Sequence, residues 1–174
     1  MEHKPRVSSL DEMLSAVRNL SGGAYAECGV WRGEIAEYIA ARMDPNSQLW
    51  LFDSFLGHGE PSEFDDATAH PKGRYADTSI EQVRAKVPGA IIVPGFIPGS
   101  LEAAKDVMFR FVRVDVDHYL PTKGIVEFFK PRMVAGGIME FDDYNHNECP
   151  GATKAINEII GAANIKLPAH WVNS

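Results

Sequence analysis

The sequence predicts an α/β fold: a doubly wound, mostly parallel sheet with helices on both faces. Three observations predict it. Short apolar runs alternate with segments of helical periodicity along the chain, the pattern of βαβ units. The 174 residues suffice for a sizeable core but not for two ordinary domains, so residues 1–174 are expected to form a single domain. Acidic residues end most of the apolar runs, and ligands of an open α/β sheet sit outside the carboxyl ends of its strands.

Ser9 with Glu12 forms a capping box. It opens a helix running to about Leu20, which Gly22-Gly23 ends. Ala24 to Val30 is a first strand. Ile35, Tyr38, Ile39 and Arg42 recur at helical spacing, so Glu34 to Met43 is a helix, closed by the turn Asp44-Pro45-Asn46. Leu49 to Phe52 is a second strand, ending at Asp53. Residues 54–78 are rich in Gly, Pro, His and Asp, and a loop this long is usually functional or mobile. Ser79 with Gln82 caps a helix that ends near Val87, before Pro88-Gly89.

Ile91 to Val93 is a third strand. After Pro98-Gly99-Ser100 comes a helix near Leu101 to Asp106. Phe109 to Val114 is a fourth strand, ending at Asp115, and Pro121 suits the first turn of a helix reaching Phe129. Met133 to Phe141 is a fifth strand, interrupted by Gly136-Gly137 and ending at Asp142-Asp143. Cys149-Pro150-Gly151 leads into a last helix, Ala152 to Ile160, and Ile165 to Trp171 is expected to add a sixth strand. Right-handed crossovers make this a Rossmann-like sandwich.

Composition narrows the function classes. Hydrophobic residues at 45% and charged residues at 24% are those of a soluble globular protein and exclude disorder. No apolar run approaches the roughly 20 residues that span a bilayer, and the polar start Met1-Glu2-His3-Lys4 has no secretory h-region. A cytoplasmic protein without a membrane partner is expected. The net charge of −7, with no Lys/Arg cluster, offers no electrostatic footprint for nucleic acid. Cys28 and Cys149 are read as reduced thiols in or near the core.

The strand ends supply the candidate chemistry. Glu27-Cys28-Gly29-Val30-Trp31-Arg32-Gly33 joins the first strand to a helix, with glycines in a Gly-x-x-x-Gly spacing. That differs from the Gly-x-Gly-x-x-Gly of dinucleotide binders and disfavours an NAD-dependent dehydrogenase. A glycine at this turn permits close approach of a ligand. Asp53, at the end of strand two, can accept hydrogen bonds from both hydroxyls of a ribose. Asp115 and Asp142 end consecutive strands, and neighbouring strands lie about 4.8 Å apart. With Asp143 they can share a hard divalent cation such as Mg²⁺. The competing readings are structural: a plain strand–helix turn, a turn cap and solvated strand ends.

Four segments occur in order: Gly29-Val30-Trp31-Arg32-Gly33, Phe52-Asp53-Ser54-Phe55, Val114-Asp115-Val116-Asp117-His118-Tyr119, and Gly136-Gly137-Ile138-Met139-Glu140-Phe141-Asp142-Asp143-Tyr144. Together with Cys149-Pro150-Gly151-Ala152-Thr153-Lys154-Ala155-Ile156 they closely resemble the macrocin O-methyltransferase (TylF/MycF-like) family. The resemblance covers most of residues 25–160. It implies a class I methyltransferase fold and divalent-metal-dependent O-methylation by S-adenosylmethionine, with a sugar or glycosylated natural product as the hydroxyl acceptor. It also implies that Glu27, Gly29, Val30, Trp31, Gly33, Asp53, Ser54 and Asp115 line the cofactor site. Asp115, Asp142 and Asp143 would hold Mg²⁺.

Related catechol-type enzymes often carry a lysine base three residues after the first metal aspartate; this chain has His118 there. An ordinary imidazole is a usable base at neutral pH, and His146 is its competitor. Compared with the family, the chain is short at its N-terminus and ends near Trp171, so an incomplete terminal β-hairpin is expected. The loop 54–78 is the expected lid, with Asp65, Asp66, His70 and Tyr75 facing ligands. Exposed aromatic residues and absent lid helices favour a homodimer. The alternative function is a non-catalytic S-adenosylmethionine-binding module.

Overall fold

Residues 7–166 and 168–173 of the computed structural model are described. Six strands form one sheet in the order β3-β2-β1-β4-β5-β6. They are β1 (Ala24–Cys28), β2 (Leu49–Asp53), β3 (Ile91–Pro94), β4 (Phe109–Val114), β5 (Met133–Phe141) and β6 (His170–Val172). The first five pair in parallel, and β6 runs antiparallel to β5, with Met139 opposite Trp171.

Successive side chains of a strand point to opposite faces, and here both faces are covered. Ala26, Cys28, Val112, Val114, Met139 and Phe141 pack on one side with α4 (Tyr119–Phe129) and α5 (Pro150–Ile159), through Ile125, Val126, Phe129 and Ile156. Tyr25, Leu49, Leu51, Phe111 and Ile138 pack on the other with α1 (Val7–Val17), α2 (Glu34–Ala40) and α3 (Ile80–Lys86), through Leu14, Val17, Ile39 and Val83. Every residue of β1 and of β4 is buried, the charged Glu27, Arg110 and Arg113 included, and the remainder of both strands is mostly apolar, as in a parallel sheet covered on both faces.

Several boundaries differ from expectation. Ser9 lies inside α1 rather than capping it, and the helix ends at Val17, ahead of a turn through Leu20. Ser79 does cap α3, its hydroxyl accepting from the Gln82 N–H at 3.2 Å. The segment expected as a helix near Leu101 is a 3₁₀ turn, Gly99–Ala104. Strand β6 covers only the end of the expected Ile165–Trp171 run; Lys166 makes an isolated bridge to His170, and Leu167 lies outside the described residues. Both cysteines are free and buried. Among the described residues no helix is long and apolar enough to cross a membrane.

The strand order reverses between β1 and β4. Neighbouring connections there leave on opposite faces and open a crevice at the carboxyl ends.

Candidate active site

A cavity of about 1260 Å³ occupies that crevice. Its wall includes Glu27, Gly29, Val30, Trp31, Asp53, Ser54, Asp115, His118, Asp142, Asp143 and His146. Of the residues expected to hold cofactor, metal or proton, only Gly33 is off the wall; it precedes the first turn of α2. The acidic strand ends therefore do gather on one rim.

The β1–α2 turn is fixed by the sheet. At Gly29 φ is +87°, and a Cβ would overlap the carbonyl oxygen of Asp115. The close approach that requires glycine is thus the neighbouring strand's own backbone. Trp31 also has positive φ, at 48°, a costly conformation that surrounding contacts must hold. Asp53 does much of this. Its Oδ2 accepts from the N–H groups of Val30 and Trp31, each at 2.8 Å, and its Oδ1 from Phe55 N–H at 2.8 Å. A carboxylate offers roughly four acceptor sites, so one remains for a ligand hydroxyl, rather than the two expected. Ser54 Oγ donates to the Gly57 carbonyl at 2.8 Å and accepts from Leu56 N–H at 3.0 Å, so its hydroxyl serves the loop.

Sequence reasoning missed Arg113, which is 2% exposed near the carboxyl end of β4. Register places it between Glu27 and Glu140, across three strands. Its guanidinium donates to Glu140 Oε2 at 2.6 Å, Asp142 Oδ1 at 2.7 Å and Asp115 Oδ2 at 2.9 Å, and its Nε lies 3.8 Å from Glu27 Oε1. One cation thus faces four carboxylates. Like charges 4 Å apart repel by about 4 kcal/mol at an effective dielectric of about 20, so a single guanidinium cannot neutralise the group. Burial, reinforced by the Asp142 charge, pushes Asp115 up to about 8. Burial likewise raises Glu27 well above the carboxylate range, against the pull of Arg113. It raises Asp143 too, helped by Asp117 and Asp115. Glu27 Oε2 is buried with no hydrogen-bond partner.

Oxygens of Asp115, Asp142 and Asp143 lie within 4.8 Å of one another. Arg113 takes one oxygen of Asp115 and one of Asp142, which leaves the second oxygen of each. An all-oxygen, charge-deficient set of this kind fits a hard divalent cation.

The two expected bases differ in setting. His118 is 3% exposed, and its Nε2 donates to the His70 carbonyl at 2.9 Å. His146 is half-buried beside Cys149, its Nδ1 3.8 Å from Sγ. Asp117, His58 and His70 were not anticipated as a group. His58 Nε2 and His70 Nδ1 flank the two Asp117 oxygens at 3.0 and 3.2 Å. Burial would raise the Asp117 carboxyl, but the His58 hydrogen bond and the charges of His70 and His58 bring it below its usual value. A signal was present in the sequence: three histidines and an Asp-x-Asp within one loop and one strand end.

The loop 54–78 is docked against this rim. Asp65 Oδ1 accepts from Tyr119 N–H at 2.7 Å, and Asp66 Oδ1 accepts from Thr68 N–H at 2.9 Å. These two residues hold the loop instead of lining the cavity, whereas His70 and Tyr75 do line it. Asp77 accepts from Trp31 Nε1 at 2.8 Å and pairs with Arg32.

The macrocin O-methyltransferase (TylF) family model matches residues 1–174. A tetracenomycin rhamnosyl 4'-O-methyltransferase of Streptomyces olivaceus is 29% identical over an alignment of 162 positions, and the match covers 84% of this chain and 61% of that protein. Among solved structures, the calicheamicin methyltransferase CalS11 superposes with a TM-score of 0.80 at 23% identity, over 95% of this chain and 77% of its own. The O-methyltransferase NovP does so with a TM-score of 0.79 at 23% identity, over 97% and 79%. The fold is that of these methyltransferases.

Proposed function

The chain belongs to the macrocin O-methyltransferase (TylF) family, and from that premise we propose that it transfers the methyl group of S-adenosylmethionine to a hydroxyl oxygen of a glycosylated natural product. The observation that carries the reading is the cavity at the sheet reversal, walled by Glu27, Asp53, Asp115 and Asp142. A sulfonium cofactor is cationic, and this rim is short of positive charge. Glu27, with its unpartnered buried oxygen, suits the cationic end of the cofactor. The remaining acceptor site of Asp53 suits one ribose hydroxyl. The Val30–Trp31 turn, pinned by the same carboxylate, sets the backbone against which the cofactor lies.

Asp115, Asp142 and Asp143 are assigned to a hard divalent cation such as Mg²⁺. When bound, such an ion polarises the acceptor hydroxyl and lowers its pKa. The chain's own residues do the rest. The carboxylate rim would hold the acceptor beside the cofactor, and positioning of this kind accounts for much of the rate of such displacements. His146 accepts the hydroxyl proton, since it stands on the cavity wall with more exposure than His118. His118 orients the His70 segment through its bond to that carbonyl.

Calorimetry tests the cofactor half. Affinity for S-adenosylmethionine is expected to fall about tenfold or more in Asp53→Ala, the loss of a charge-assisted hydrogen bond; an unchanged affinity removes the ribose assignment. Turnover with an acceptor glycoside tests the metal half. It is expected to need Mg²⁺ and to collapse in Asp142→Asn, and full activity in excess EDTA overturns the metal assignment.

A further inference from the structure

Beside the carboxylate trio lies a donor group of different chemistry. Nitrogens of His58 and His70 and an oxygen of Asp117 fall within 4.8 Å of one another. We propose that His58, His70 and Asp117 form a second cation site, for a borderline divalent ion of the Zn²⁺ class with water completing its shell, which clasps the 54–78 loop to the sheet.

Spacing supports it. Tetrahedral Zn²⁺ has bonds of about 2.0–2.3 Å to nitrogen, oxygen and sulfur, which set ligand–ligand edges of about 3.3–3.7 Å. The observed separations are 3.0 Å for His58–Asp117 and 3.2 Å for His70–Asp117. Binding would draw these groups into place with small movements. Donor type supports it as well. Imidazole selects Zn²⁺, Co²⁺ or Ni²⁺ over Mg²⁺, which prefers oxygen.

The hydrogen bonding supports it independently. The His70 side chain is 4% exposed, and its Nδ1 points at Asp117 off the line of a hydrogen bond, so that buried nitrogen has no proper partner. An orphaned nitrogen of this kind costs about 1–3 kcal/mol, and a metal ion satisfies it. Asp117 itself is held at φ +61°, a strained conformation that places its carboxylate between the two imidazoles. Two donors come from the loop and one from the frame, just after β4.

Co²⁺ is the probe, added to EDTA-stripped and dialysed protein in excess Mg²⁺, which fills the carboxylate trio. The expected result is tetrahedral Co²⁺ absorption at one ion per chain, displaced by Zn²⁺. His58→Ala combined with His70→Ala is expected to abolish the visible absorption, and Asp142→Asn should leave it. Zn²⁺ should slow hydrogen exchange across 54–78. Absence of Co²⁺ absorption in the unaltered protein overturns the proposal. A spectrum that survives the double histidine variant and vanishes in Asp142→Asn also overturns it. Neither cofactor binding nor turnover enters this measurement, so its failure is separable from failure of the methyl-transfer reading.

Discussion

Gly29 shows how one residue couples two strands. The Asp115 carbonyl crosses where a side chain would stand, and the backbone is left-handed as well. Gly29→Ala therefore combines a steric overlap with backbone strain. It is expected to cost about 4 kcal/mol or more, the range reserved for a named structural defect. For a chain of this size that lowers the melting temperature by roughly 10 °C, measured by calorimetric or circular-dichroism melting. A glycine kept only for ligand approach would instead lose cofactor affinity while melting normally. Arg113 was hidden for a related reason: a buried arginine in a mostly apolar strand looks like a misfit until the register sets carboxylates on either side of it.

At the level of elements, the long loop is an extension of two helices. Neither α4 nor α5 has a side-chain cap from its own N-cap residue. Asp65 supplies one from a distance: Oδ1 takes the Tyr119 N–H, and a side chain at Gly151, in the first turn of α5, would run into the same oxygen. A carboxylate at helix N-termini is favoured by the unsatisfied N–H groups and the helix dipole. Asp65→Ala is expected to cost about 1–2 kcal/mol, as lost caps do, and to speed hydrogen exchange across 54–78 while leaving exchange in β1 and β4 unaltered. Uniform exchange across the chain would show that the loop is not held there.

Over the whole molecule, protons and cations compete for one rim. Asp115 is raised to about 8 from a usual 3.8, so the folded protein holds a proton that the unfolded chain releases. Without a divalent ion, that contribution to stability is complete below about 3.8 and is lost as pH rises through about 8. Thermal melting in EDTA is expected to show this decline, with added Mg²⁺ reversing it. Mg²⁺ affinity should rise across the same window with release of a proton. Isothermal calorimetry in buffers of different ionisation enthalpy reads that proton directly. A pH-independent Mg²⁺ affinity would place the ion elsewhere.

The alternation of apolar runs and amphipathic segments determined the fold class, since a buried parallel sheet leaves that pattern in any sequence. The strand-end rule located Glu27, Asp53, Asp115, Asp142 and Asp143 for the same reason: chain direction in a parallel sheet brings those ends to one edge. Only tertiary structure decided what the side chains do there. That Asp53 spends three acceptor sites on its own backbone, and that Arg113 is shared by four carboxylates, follow from register. That Asp65 caps a helix, and that His58 and His70 meet Asp117, follow from where an irregular loop docks. Register and docking are set by long-range packing, and local periodicity carries no record of them.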